Sequence, residues 1–248
     1  MSEDFAGRVA LVTGAFRGFG LATAERLAAR GASVAVHVRD AGRAETAARR
    51  VGERGFPVSG DLGDPADLRA VAGRTLDRFG RIDILVNNAA VALPTRFEQI
   101  AEEEWRRTFE VNVTAVFLLI RAVLPSMRER GYGRIVNLSS TAGKTVSTLG
   151  GAHYTASKAA LQGLTRAAAK ELGPYGITVN AICPGLFDTE LTRENATPEQ
   201  LAAIAQTFPV RRLGEPVEVA DLICFLASEA AGYITGASLD INGGDLMV

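Results

Sequence analysis

With 248 residues, the chain is long enough for one large domain with a sizeable core. Its 47% hydrophobic and 22% charged residues are ordinary for a soluble globular protein. A formal net charge of -1 and the absence of a lysine/arginine block argue against a nucleic-acid-binding surface. Along the chain, a strand at Val9–Val12 leads into a helix at Gly18–Arg30, then a strand at Ser33–Val38 into a helix at Ala41–Arg54. The pattern repeats with a strand at Pro57–Ser59 and helix at Pro65–Phe79, a strand at Ile84–Asn87 and helix at Glu103–Arg130, and a strand at Arg134–Leu138 and helix at Tyr154–Leu172. Strands at Thr178–Ile182 and Ser238–Ile241 bracket a helix at Pro216–Ser228. Short, nearly continuous apolar runs alternating with amphipathic segments predict βαβ units and a parallel sheet covered on both faces. Gly31, Gly55, Gly80, Gly131 and Gly176 are expected to end helices in the left-handed conformation.

No linker, internal repeat or composition break divides the chain, so residues 1–248 are read as a single domain. The segment from Leu186 to Gly214 fits the alternation poorly and carries a weak helical pattern around Pro198–Gln206. An excursion of that length predicts a substrate loop or lid at about 186–214. Cys183 and Cys224 lack CxxC spacing and histidine-rich neighbours, which predicts two buried, reduced thiols and no metal site. The acidic start, Met1 to Phe5, has no apolar signal-peptide core. The longest apolar stretch, Val113 to Ile120 broken by Thr114, is too short to span a bilayer. A cytoplasmic protein without membrane contact is expected.

Tyr154-Thr155-Ala156-Ser157-Lys158 follows the strand-like run Arg134 to Ser140 and heads a long helix. Residues four apart share a helix face, so Tyr154 and Lys158 point together. Free tyrosine titrates near ~10, and bringing it to about 7 takes roughly 4 kcal/mol. One cation at ~4 Å in an effective dielectric of ~20 supplies about that much. The chain holds three lysines, Lys144, Lys158 and Lys170, so this spacing is less readily accidental.

Thr13 to Gly20 follows the first strand and opens the first helix, with Gly14, Gly18 and Gly20 in G-x-x-x-G-x-G spacing. Glycines let the backbone turn sharply beside a pyrophosphate, while the helix N-terminus offers N–H groups and a positive dipole end. At the end of the second strand, Val38 stands where a carboxylate would hold a ribose 2′-hydroxyl, and Arg39 follows. Arg39 and Arg17 together suit a 2′-phosphate, which favours NADP. Asp40 would oppose the phosphate or take a ribose hydroxyl, so NAD stays open. Asp61-Leu62 and Asn87-Asn88-Ala89-Ala90 fall where adenine and the central cofactor would pass, and each also reads as a loop-forming turn.

Together these residues resemble the short-chain dehydrogenase/reductases over essentially the whole chain. The resemblance covers Thr13–Gly20, Asp61, Asn87-Asn88-Ala89, Val111-Asn112-Val113, Ser140 with Tyr154-x-x-x-Lys158, Pro184-Gly185 and Gly236 to Gly244. It is strongest to the branch of 3-oxoacyl-carrier-protein reductases and related sugar and polyol dehydrogenases. It implies a doubly wound α/β Rossmann fold, with a seven-stranded parallel sheet flanked by helices on both faces. It implies a catalytic set of Asn112, Ser140, Tyr154 and Lys158, with Ser140 preferred to Ser139 because Ser140-x-x-Gly143 matches the family pattern. Cofactor contacts are expected from Gly14, Arg17, Gly18, Phe19, Gly20, Arg39, Asp61, Leu62, Asn88, Ala89, Tyr154 and Lys158. Pro184 and Gly185 would lie under the nicotinamide, and Thr189 would hold its carboxamide. Two departures stand out: Ala90 replaces the usual glycine, and Gly173-Pro174-Tyr175-Gly176 lacks the basic residue that often meets an acidic carrier.

The implied activity is hydride transfer between NADP, or NAD, and a carbonyl or secondary alcohol, with Ser140 polarising the oxygen and Tyr154 moving the proton. Lys158 would lower the Tyr154 pKa, and Asn112 would hold a water on the proton route. A sugar, polyol or other small alcohol or ketone is the first substrate reading, and 3-oxoacyl-carrier protein the alternative. Thr145–Gly151 offers hydroxyls near the same mouth, compatible with a polyhydroxy substrate and also with a polar loop. His153 is expected to be a pocket wall or surface residue, His37 structural, and Trp105 a packing residue. The resemblance also implies a homotetramer. A dinucleotide sensor or scaffold on the same fold is the non-enzyme alternative.

Overall fold

The structure is a computed structural model describing residues 4–147 and 150–248. Seven parallel strands form one sheet in the order β3-β2-β1-β4-β5-β6-β7: β1 Val9–Val12, β2 Ser33–Val38, β3 Gly55–Ser59, β4 Ile84–Asn87, β5 Gly133–Leu138, β6 Ile177–Pro184 and β7 Ser238–Ile241. Strand alternation splits the core into two layers. Ala10 and Val12 of β1, Ile84 and Val86 of β4, and Val136 of β5 pack against α1 (Gly18–Ala29), α2 (Ala41–Val51) and α9 (Pro216–Ala227). Leu11, Leu85 and Ile135 face α3 (Pro65–Phe79), α5 (Ala115–Arg130) and α6 (Ala152–Leu172) on the other side. The chain is therefore doubly wound, as expected. Truncating a residue such as Leu85, which is fully buried, would cost about 2–5 kcal/mol.

Local chemistry sets the helix ends. The Asp64 carboxylate accepts from the N–H groups of Ala66 and Asp67, Pro65 occupies the first turn of α3, and Gly80 ends it at φ 70°. Gly131 ends α5 in the same way. Gly55 does not end α2: it begins β3, and the stop is Gly52 at φ 87°. The expected helix Glu103–Arg130 is α4 (Glu102–Phe109), a π-turn over Glu110–Thr114, and α5. End to end, Glu102–Arg130 is long and apolar enough to cross a membrane by those measures alone. Its apolarity has a local reason here, since Leu119, Val123 and Met127 are buried against the sheet.

The segment 186–214 contains two helices rather than one weak pattern: α7 (Glu190–Asn195), capped by Thr189, and α8 (Pro198–Thr207). Thr197 and Gln200 form a reciprocal capping box at the start of α8. The paired residues Phe187 and Gly214 close the segment at its base.

Candidate active site

The strand order reverses between β1 and β4, and at their carboxyl ends a cavity of about 510 Å³ opens. Its floor is the loop from β1 to α1. Gly14 has φ +65°, and a Cβ there would lie 2.8 Å from the Ala89 Cα, so only glycine lets the two backbones meet. The Asn88 side chain donates to the carbonyls of Thr13 (2.9 Å) and Gly14 (3.0 Å), while the Thr13 hydroxyl accepts from the Asn88 and Ala89 N–H groups. The end of β4 thus holds the loop in shape and leaves the N-terminus of α1 facing the cavity. Gly18, Phe19, Leu62, Asn88, Ala89 and Ala90 all line it. Gly20 does not: a Cβ there would lie 2.5 Å from Asn88 Nδ2, so its role is packing α1 onto the loop.

At the far end of the cavity, buried His37 bridges two backbones. Its Nδ1 faces the Gly14 N–H at 3.4 Å, and its Nε2 lies 2.9 Å from the Gly60 carbonyl. Burial pushes its pKa below the usual histidine value, against the opposing effect of the Gly60 hydrogen bond. Neutral His37, with Nε2 protonated, satisfies both groups. Asp40, which complicated the cofactor reading, caps α2 by accepting from the Arg43 N–H at 2.9 Å. Arg39 is exposed and makes no side-chain hydrogen bond or ion pair among the described residues. Arg43 stacks over Phe16, and both line the cavity.

Two expected cofactor residues already hold protein partners. Arg107 reaches from α4 to both Asp61 carboxylate oxygens, at 2.6 and 2.7 Å. Burial opposes the charged Asp61, but hydrogen bonds from Arg107 and the Gly63 N–H outweigh it and hold its pKa below the usual range. Arg17 forks onto Glu194 of α7, with Nη2 3.2 Å from Oε2 and Nη1 on Oε1. Arg43, Arg107 and His37 also line the cavity, placed there by contacts between elements remote in sequence that no local spacing announces.

Tyr154 lies in the first turn of α6, with Lys158 one turn on. Tyr154 lines the first cavity and a second one of about 430 Å³, so it stands in the wall between them. Ser140 lines the second cavity beside Tyr154, and its hydroxyl acts on the phenol in the direction that favours ionisation. Ser140 also heads the short turn Thr141–Gly143 by accepting from the Ala142 N–H at 3.1 Å. A Cβ on Gly143 would lie 2.6 Å from Gln162 Nε2 and 2.8 Å from the Lys158 backbone, which explains glycine three residues after the serine. Ser139 is tied down instead: it donates to the Lys158 carbonyl at 2.9 Å and accepts from Gln162 at 3.2 Å.

Lys158 is buried and donates to the Leu138 carbonyl at 2.5 Å. Burial brings its pKa down to about 8, slightly offset by Cys183. Burial also pushes the Tyr154 phenol above its ordinary value, with the Ser140 hydroxyl working the other way. The direction is opposite to the expected lowering by Lys158, because desolvation of both groups dominates. Asn112 lines neither cavity. It sits in the π-turn, where the helical ladder is interrupted, accepts from the Val91 N–H at 2.8 Å and donates to the Val91 carbonyl and the Ser157 hydroxyl.

Pro184, Thr189 and Leu191 line both cavities, and Gly185 only the second. Thr145, Val146 and Ser147 line the second cavity, while Thr148 and Leu149 lie outside the described residues. His153 is neither wall nor surface: it is fully buried, with Nε2 3.0 Å from Glu104 Oε1 on α4. Trp105 is half-exposed and stacks on Phe109, with ring centres 5.0 Å apart. Both cysteines are buried and free.

A family model described as enoyl-(acyl carrier protein) reductase matches residues 14–245. The chain belongs to the short-chain dehydrogenase/reductase family. It is 40% identical to the 3-oxoacyl-[acyl-carrier-protein] reductase of Escherichia coli (strain K12), over 99% of this chain and 100% of that one. A solved 3-oxoacyl-[acyl-carrier protein] reductase from Brucella melitensis superposes with a TM-score of 0.92 at 36% identity, covering 100% of this chain and 94% of the other. A solved protein from Agrobacterium tumefaciens, provisionally called a gluconate dehydrogenase, gives a TM-score of 0.92 at 34% identity, covering 100% and 99%. The short-chain dehydrogenase/reductase fold and an oxidoreductase function therefore hold for this chain.

Proposed function

We propose that the chain is an NADP-dependent reductase or dehydrogenase acting on a carbonyl or secondary alcohol in the second cavity. The observation that carries this reading is the convergence of Ser140 and Tyr154 on the second cavity, with Tyr154 and Lys158 also lining the first. A dinucleotide fits the first cavity: Gly14 admits close backbone approach, the N-terminus of α1 faces inward, and Arg39 beside it has no side-chain partner among the described residues. Bound there, the nicotinamide would supply or accept the hydride. Pro184 and Thr189 would position its ring, and Lys158 would reach its ribose.

Ser140 donates to the substrate oxygen as charge develops, and Tyr154 gives its proton in reduction or removes it in oxidation. Lys158 stabilises the tyrosinate when Tyr154 has given up its proton. Asn112 braces the backbone at Val91 and holds Ser157, keeping the start of α6 against the cavity. Replacing Tyr154 with Phe removes the proton donor, and a fall in turnover of at least about 100-fold is expected. Turnover near the wild-type rate on any accepted substrate would overturn the assignment.

For the substrate, likeness to the two carrier-protein reductases favours a 3-oxoacyl thioester. The hydroxyls of Thr141, Thr145 and Ser147 support a small polyhydroxy ketone or alcohol as the second reading. Comparing kcat/KM for a 3-oxoacyl thioester and a panel of sugar and polyol substrates separates them. Assembly as a homotetramer is what the family resemblance implies, and a monomeric mass in light scattering would refute it.

A further inference from the structure

We propose that Glu194 on α7 is a cofactor-specificity residue: it occupies the Arg17 guanidinium, so a 2′-phosphate can use Arg17 only by displacing it. This rests on the NADP reading above. Arg17 leaves the glycine loop at the lip of the cofactor cavity, and its two terminal nitrogens meet the two oxygens of Glu194. That fork is the arrangement by which a guanidinium would otherwise clasp a phosphate. Glu190, on the same short helix, lines the cavity and adds a second negative charge near Arg17. Thr189, the cap of α7, lines the cofactor cavity together with Gly18 of the glycine loop. Among the described residues the Arg39 side chain has no hydrogen-bond or ion-pair partner, whereas Arg17 is held by Glu194.

The two nicotinamide cofactors therefore meet different demands. The neutral 2′-hydroxyl of NADH asks nothing of Arg17 and leaves the Arg17–Glu194 pair intact. The 2′-phosphate of NADPH needs positive charge and is repelled by a carboxylate held beside that charge. Binding NADPH through Arg17 thus means breaking the Arg17–Glu194 ion pair, on the segment that also walls the second cavity through Thr189 and Leu191.

Glu194→Gln tests this with the whole chain and dissociation constants for NADPH and NADH from fluorescence titration. The side chains of Arg17 and Glu194 are 44% and 55% exposed, so the substitution leaves the core untouched. NADPH is expected to bind roughly three- to tenfold more tightly to the variant, with NADH changed less than about twofold. In an Arg17→Gln background the gain should vanish. An unchanged or weaker NADPH affinity overturns the proposal, as does equal tightening of NADH or a gain that survives without Arg17. A wild-type preference for NADH would defeat the NADP reading alone, because a gain selective for NADPH in the variant would still assign Glu194 its role.

Discussion

Lys158 donates to the carbonyl oxygen of Leu138 at 2.5 Å, while its ammonium stands 5.6 Å from the centre of the Tyr154 ring. The cation is therefore anchored to the end of β5 and set beside the phenol, in a place dry enough to lower its own pKa to about 8. Lysine, and not tyrosine, is the group of this pair that titrates nearest to neutral pH.

A stability measurement checks that. The folded pKa of Lys158 lies below its unfolded value, so between about pH 8 and 10.5 the unfolded chain binds more protons. Lys158 thus makes the fold more stable as pH rises through that window. Relative to Lys158→Met, the wild type should gain about 2 kcal/mol between pH 7.5 and 9.5 in urea unfolding. Parallel pH dependences for the two proteins would show that Lys158 is not desolvated.

Ser139 and Ser140 are expected to respond differently to replacement by alanine. Ser140→Ala removes the hydroxyl beside Tyr154 and should lower kcat about 100- to 1,000-fold, while loss of its bond from the Ala142 N–H costs about 1 kcal/mol. Ser139→Ala breaks the tie between β5 and α6 and should cost about 1–3 kcal/mol of stability with a much smaller effect on kcat. Reversed effects in kinetics and thermal unfolding would exchange the two assignments.

His37 predicts an acid limit. Its folded pKa lies below the unfolded value, so the unfolded chain takes up protons first as pH falls through about 6.5. Stability is fully present above that pH and declines below it. His37→Gln should flatten the loss between pH 6.5 and 5 in unfolding titrations, and it should weaken dinucleotide binding by loosening Gly14. A variant with the wild-type acid profile would remove His37 from this account.

The alternation of apolar strands with amphipathic helices determined the fold class, because buried parallel strands and their covering helices carry different periods. Spacing alone set Tyr154 and Lys158 on one helix face and placed Gly14 and Gly18 at the first strand-to-helix turn. The π-turn at Asn112 was not legible, since a single extra residue in the helical ladder leaves the apolar pattern of Glu102–Arg130 almost unchanged. Nor were the partners of charged residues. Asp61 meets Arg107 and Arg17 meets Glu194 across 46 and 177 residues, and such pairings depend on which elements the sheet order brings together. Burial, likewise a tertiary quantity, set the pKa directions of Tyr154, Lys158 and His37. Residue types and local spacing supplied the candidate catalytic residues, while the tertiary structure decided which groups are dry and which are paired.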